Sequence, residues 1–259
     1  MVLLHGWMDV SASFQFLVDA LRGEWDVYAP DWRGYGLTEW GRADCYWFPD
    51  YIADLDFLLD RIDPAPINLV GHSLGGNVAT LYAGVRPARI AKLVNLEGFG
   101  LPPTRPEDAP KRYARWLDEL RERPGLRPYA SFAELAQRLQ QGNPRLSGSK
   151  AQFLAQHWGK EAEGKVVLRG DPAHKIVNPV LYRYDEVRAC WQSVTAPVLW
   201  VEGAQSDTPK RLQLSPAEIE ERRAAFRDLR FASVANAGHM LHHDQPEAVA
   251  RLLEDFLAR

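Results

Sequence analysis

The stretch "INLVGHSLGGNVATLYAG", residues 67–84, crowds three glycines around one serine. Gly71, Ser73 and Gly75 form a Gly-x-Ser-x-Gly spacing, with the apolar run "INLV" before it and the helix-forming run "LGGNVATLYAGV" after it. A strand that turns this sharply into a helix holds its turn residue in a strained conformation with the side chain exposed. The flanking positions must be nearly bare, or their Cβ atoms would collide with the strand and the helix. Ser73 is therefore read as a nucleophile, and the helix N-terminus behind it favours negative charge developing at the site.

A serine hydroxyl is a weak nucleophile at neutral pH and needs a base to take its proton. Three of the seven histidines, His239, His242 and His243, fall together in "NAGHMLHHDQPEAV", between strand-like and helix-like segments. His239 follows the small residues Ala237 and Gly238 and is the expected base, with His242 and His243 lining or capping the site from the next turn. The base in turn needs a carboxylate to fix its tautomer and stabilise its charged form. Asp207 in "VLWVEGAQSD" and Glu97 in "KLVNLEGFG" both follow strand-like runs, so reach does not choose between them. Glu202, within the strand, is a third possibility. No ligand set elsewhere obviously completes "HMLHHD", so no metal and no cofactor are expected.

The elements that must carry these groups alternate. "VLL" (2–4), "WDVYAPD" (25–31), "INLV" (67–70) and "IAKLVNL" (90–96) read as strands. Helical patterns fall between them, such as "WFPDYIADLDFLLDRI" (47–62). This alternation predicts an α/β fold, a doubly wound, mostly parallel sheet flanked by helices. From 101 to 195 the rhythm breaks. After the proline-rich "LPPTRPEDAP" there is almost no strand signal, and helices with N-caps at Ser131 and Ser149 are expected. Alternation resumes with "VLWVEG" (198–203), a helix over "SPAEIEERRAAFRD", the strand "RFASVAN" (230–236) and the closing helix "QPEAVARLLEDFLA". Residues 1–100 and 196–259 are thus expected to form one core, interrupted by a helical insert at 101–195. The insert carries a net charge of +5 and the remainder −8. That difference suits a basic insert docked on an acidic core, or the attraction of anionic substrates.

Four motifs, in order, resemble those of the α/β-hydrolase superfamily: "LLHGW" (3–7), "DWRGYGLTEW" (31–40), "GHSLGG" and "NAGHMLHHDQPEAV". The resemblance covers nearly the whole chain. It implies that His5 and His72 are structural and that His239 is the catalytic histidine. The fold's usual acid position, after the strand that follows the insert, points to Asp207. This sequence departs slightly there, with four residues from Gly203 to Asp207 where three are common. Glu97 occupies the position used by haloalkane dehalogenases and some other relatives. The backbone N–H groups of Leu74 and Trp7 are the implied oxyanion donors, and residues 101–195 the implied lid. Relatives usually have two further strands before the "HG" loop, whereas this chain opens inside the strand leading into it.

Serine rather than aspartate at the elbow disfavours epoxide and haloalkane chemistry and supports acyl transfer to water. The expected activity is that of a serine carboxylesterase on small to medium acyl esters. Lactonase, thioesterase or acyltransferase activity on the same fold, or a non-catalytic binding role, are the alternatives. Among 259 residues the formal charge of −3 argues against nucleic-acid partners. No apolar run is long enough to span a membrane, and no basic region precedes "MVLL" as in a signal peptide. Cys45 and Cys190 are isolated and read as reduced thiols. A cytoplasmic enzyme of small molecules is expected.

Overall fold

The computed structural model describes every residue except Arg42 and Arg259. Five parallel strands form the central sheet: β1 (Val2–Leu4), β2 (Ile67–His72), β3 (Ile90–Leu96), β6 (Val198–Gly203) and β7 (Leu229–Val234), in the order β1-β2-β3-β6-β7. Parallel strands covered on both faces read as continuous apolar runs rather than alternating ones. Here successive residues supply opposite faces. Leu93, Val198 and Trp200 pack on one side, and Val94, Leu199 and Val201 on the other. The first face is covered by α2 (Phe48–Ile62), α3 (Leu74–Val85) and α7 (Tyr184–Gln192). The second is covered by α1 (Gln15–Asp19) and α11 (Pro246–Leu257). The architecture is the expected doubly wound α/β sandwich.

β3 and β6 span the residues read from their apolar runs, but "WDVYAPD" does not form a strand. Tyr28 makes a single bridge to Val2, with Leu3 N donating to Tyr28 O at 2.8 Å and Tyr28 N to Met1 O at 2.9 Å. Pro30, lacking an N–H, cannot continue the ladder. Asp31 then organises the next turn by accepting from Ser11 N and Leu37 N.

Residues 101–195 hold α4 (Ala109–Arg121), α5 (Phe132–Gly142), α6 (Gly148–Trp158) and α7. They also hold, against the expectation of helices alone, an antiparallel hairpin of β4 (Gly159–Ala162) with β5 (Lys165–Leu168). Its two-residue turn, Glu163-Gly164, has positive φ at both positions, 50° and 73°, which matches the twist of a tight hairpin. Ser131 caps α5 as expected, accepting from Glu134 N. Ser149 does not cap α6. That role falls to Ser147, whose hydroxyl accepts from Lys150 N, while Ser149 lies inside the first turn. α5, α6 and β5 share a small core of their own around Leu135, Leu154 and Val166. Trp191 of α7 instead enters the main core against Trp200 and Phe226. No helix among the described residues is long and apolar enough to cross a membrane.

Candidate active site

β2 ends at His72 and α3 begins at Leu74, so Ser73 alone makes the turn. Its backbone takes φ 53° and ψ −113°, a conformation that costs a non-glycine residue free energy and persists only where its surroundings enforce it. Ser73 N donates to Leu96 O of β3 at 2.8 Å, pinning the turn to the sheet. The flanking glycines are sterically required. A Cβ on Gly71 would stand 2.2 Å from Gly75 O, and one on Gly75 would stand 2.0 Å from Leu4 O. Gly75→Ala should therefore push α3 off β1 and destabilise the fold by about 1–3 kcal/mol or more. Thermal melting checks this. An unchanged Tm would show that the elbow has slack.

His239 Nε2 lies 3.0 Å from Ser73 Oγ. Its Nδ1 lies 3.1 Å from Glu97 Oε2. Glu97 is almost wholly buried, at 1% exposure. It follows directly on β3 with φ 59°, a left-handed conformation that turns its side chain beneath the histidine. Gly203 N donates to its Oε1 at 2.8 Å, and Ser206 Oγ to its Oε2 at 2.5 Å. Thr208 Oγ1 also stands 2.9 Å from His239 Nδ1.

Asp207 is not brought to the histidine. Its side chain is 67% exposed and pairs with Arg211 at 3.2 Å, one turn along α8 (Thr208–Arg211). The expected contact between Asp207 and His239 is therefore not made, Glu97 standing there instead, and the pairing register explains it. β6 runs beside β3 with Val201 opposite Leu96. The first residue past β3 therefore sits under His239, while the chain past Gly203 swings outward to start α8. Glu202 points elsewhere, bonded to Trp200 Nε1 and paired with Arg223. Ser206 and Thr208, which tie the α8 turn to Glu97 and His239, carried no sequence signal beyond their nearness to Asp207.

Five of the six other histidines pack around the site, His157 being exposed on α6. His5 Nδ1–H donates to Gly6 O and its Nε2 accepts from Trp32 N at 2.9 Å, joining two of the motif loops. His72 Nε2 bonds the backbone oxygen of His239 at 2.8 Å. His242 and His243 are buried behind the turn, His243 against Ser13 Oγ at 2.6 Å. His174 reaches in from the insert and stacks between Tyr35 and Tyr46, with centroids 3.7 and 3.8 Å away.

Burial holds His5 and His174 neutral, each lowered to about 4. The unfolded chain takes up these protons below about pH 6.5, and the folded chain does not until near pH 4. Stability is therefore lost as pH falls through this window, by about 1.4 kcal/mol per pH unit for each proton. Asp9, raised by burial to about 7, opposes with one proton. Tm should fall between pH 6.5 and pH 4.5, and a Tm that is flat or rises on acidification would contradict the neutral assignment.

Two hollows flank the Ser73–His239 pair, one lined by the serine and the other by the histidine. One, of about 230 Å³, is lined by Ser73, Leu74, Trp7, Phe48, Leu101 and Ile176 among others. The other, of about 660 Å³, opens beside His239 between α5, α6 and the α8 turn, with Arg138, Arg145 and Arg211 at its walls. Leu74 is the first residue of α3, so its N–H has no partner within the helix. Trp7 stands on the loop after β1, its indole N–H donating to His174 O at 3.2 Å.

The alpha/beta hydrolase fold family matches residues 1–246 of the chain. A serine hydrolase-like protein of Danio rerio is 27% identical over 266 residues, covering 98% of this chain and 80% of that protein. Esterase YbfF of Escherichia coli is 24% identical, covering 99% and 92%. The thioesterase domain from the curacin biosynthetic pathway superposes with a TM-score of 0.86 at 25% identity, covering 97% of this chain and 89% of that one. With its parallel sheet, its strained serine elbow and a match over nearly its whole length, this chain belongs to the alpha/beta hydrolase fold family.

Proposed function

We propose that the protein is a serine esterase that cleaves small to medium acyl esters through an acyl-enzyme intermediate. One observation carries this reading: the continuous chain Ser73 Oγ, His239 and Glu97, with links of 3.0 and 3.1 Å. His239 Nε2 takes the Ser73 proton as Oγ attacks the ester carbonyl. The charge on the tetrahedral oxygen falls to the N–H groups of Leu74 and Trp7, where removal of one such donor typically costs about 2.7–4 kcal/mol. Imidazolium formed at His239 is stabilised by Glu97 and returns its proton to the departing alkoxide. Water, deprotonated by the same nitrogen, then attacks the acyl-enzyme carbonyl and restores the Ser73 hydroxyl.

The roles of the two hollows follow from that proton path. The leaving group must depart beside the histidine that protonates it, which assigns the larger cleft to the alcohol. The smaller, aromatic-lined hollow then takes the acyl chain. Residues 101–195 act as a lid, a reading supported by Leu101 and Ile176 on one hollow and Leu135 and Leu154 on the other. We place the enzyme in the cytoplasm, in keeping with its two free cysteines.

A second reading, thioester hydrolysis, is favoured by the arginines of the larger cleft. Arg145 is held by the neutral Gln205 oxygen at 2.6 Å, leaving its charge available to an anionic leaving group. A panel of p-nitrophenyl esters of increasing acyl length, lactones and acyl-CoA thioesters separates the readings. The esterase account expects the highest kcat/KM on short to medium acyl esters and a decline as the chain outgrows the smaller hollow. Preference for acyl-CoA would establish the second reading, and no turnover of any member would refute both.

A further inference from the structure

Three polar side chains outside the Ser73–His239–Glu97 chain converge in the interior behind the elbow. Asp9 comes from the loop after β1, His72 ends β2, and His242 lies in α10 (Leu241–Asp244). They are 3%, 1% and 0% exposed. One carboxylate oxygen and one nitrogen from each ring lie within 4.8 Å of one another. Asp9 Oδ2, His72 Nδ1 and both ring nitrogens of His242 have no hydrogen-bond partner among the described residues. A buried polar group without a partner is costly, so this convergence calls for an occupant shared by all three.

The tautomers restrict what that occupant is. His72 Nε2 faces the His239 carbonyl at 2.8 Å and must carry its proton, which leaves Nδ1 as a lone pair directed inward. A ring N–H tied to a backbone carbonyl is the arrangement that orients metal-bound histidines. Asp9 Oδ1 accepts from Val10 N at 2.8 Å, which leaves Oδ2 without a partner among the described residues. Among the described residues no Lys or Arg pairs with Asp9, and a cation between the three side chains would offset the burial that raises its carboxyl. A bridging water would satisfy the lone pairs and leave the carboxyl raised. Two imidazoles and one carboxylate suit a zinc-type ion, whose fourth position goes to water. Magnesium and calcium prefer all-oxygen sites. Asp9 also lines a small crevice of about 10 Å³ between the loop after β1 and the β4–β5 hairpin.

We propose that Asp9, His72 and His242 form a binding site for a divalent transition cation of the zinc type. The ion is not part of the ester chemistry. Its link to the site is His72, which holds the backbone of His239, so occupancy stiffens the loop that carries the base. The sequence conceals the site because its three ligands are spread over more than 230 positions and meet only in the fold.

Chelator-treated protein is titrated with Co²⁺, reading visible d–d absorption, and with Zn²⁺ by equilibrium dialysis and elemental analysis. The expected result is saturable binding of one ion per chain and a Tm that rises with Zn²⁺. Asp9→Asn and His242→Gln, each checked for folding by circular dichroism, should weaken binding at least about tenfold. The exposed His157→Gln should bind as the wild type does. Absence of saturable binding, or binding unchanged in both buried variants, overturns the proposal. If neither variant folds, zinc-edge anomalous diffraction from wild-type crystals soaked in ZnCl₂ decides. A peak between the three side chains supports the site, and a peak only elsewhere or none refutes it.

Discussion

Glu97→Gln should lower turnover of an activated ester by up to roughly 10⁴-fold, while Asp207→Asn leaves it within about fivefold of wild type. Glutamine keeps the size of Glu97 but loses the charge that stabilises imidazolium at His239. It also offers an amide N–H₂ where Nδ1–H now meets an acceptor at 3.1 Å, which favours the wrong tautomer. KM should change little, because Glu97 is buried beneath the histidine, away from either hollow. Asp207→Asn removes only an exposed pair with Arg211, and such pairs are worth about 0–1 kcal/mol. Steady-state kinetics on one ester decide the matter. The reverse order of losses would return the acid to the position after β6.

Ser73→Ala is expected to be the most severe substitution, with kcat reduced on the order of 10⁶-fold. The backbone donors and the acyl hollow remain, so a residual rate of about 10³–10⁴ over water is still consistent with the account. The side chain bonds His239, and Ala at this position keeps the backbone strain it inherits, so Tm should stay close to that of the wild type. Retention of more than a few per cent of activity would place the nucleophile elsewhere.

Much of the frame and part of this site are legible in the sequence, and the reasons are physical. β3, β6 and α3 could be read to their end residues because a doubly covered strand is an unbroken apolar run and the elbow needs its glycines. Ser73 and His239 stand out for the same local reason: bare or small residues surround each. The acid does not. Glu97 and Asp207 both follow strands, and what separates them is the β3–β6 register together with a left-handed φ at Glu97. Only "EGFG", with Gly98 and Gly100 close behind, hinted at an unusual turn there. The "WDVYAPD" segment has the residue types of a strand, but Pro30 and the Asp31 turn override them. The Glu163-Gly164 hairpin has strands of only four residues set among helical segments, too short for a period-2 pattern to stand out. Asp9, His72 and His242 offer no local pattern at all, since their meeting is wholly tertiary.

The central claim, that Ser73 is activated by His239 and becomes acylated, is tested most directly by active-site titration. The protein is treated with a fluorophosphonate, and the adduct is located by intact-mass and peptide mass spectrometry. The account predicts one adduct per chain on Ser73, none on Ser73→Ala, and much slower labelling of His239→Ala and Glu97→Gln. An adduct on any other residue, or labelling of Ser73 that does not depend on His239, would contradict it.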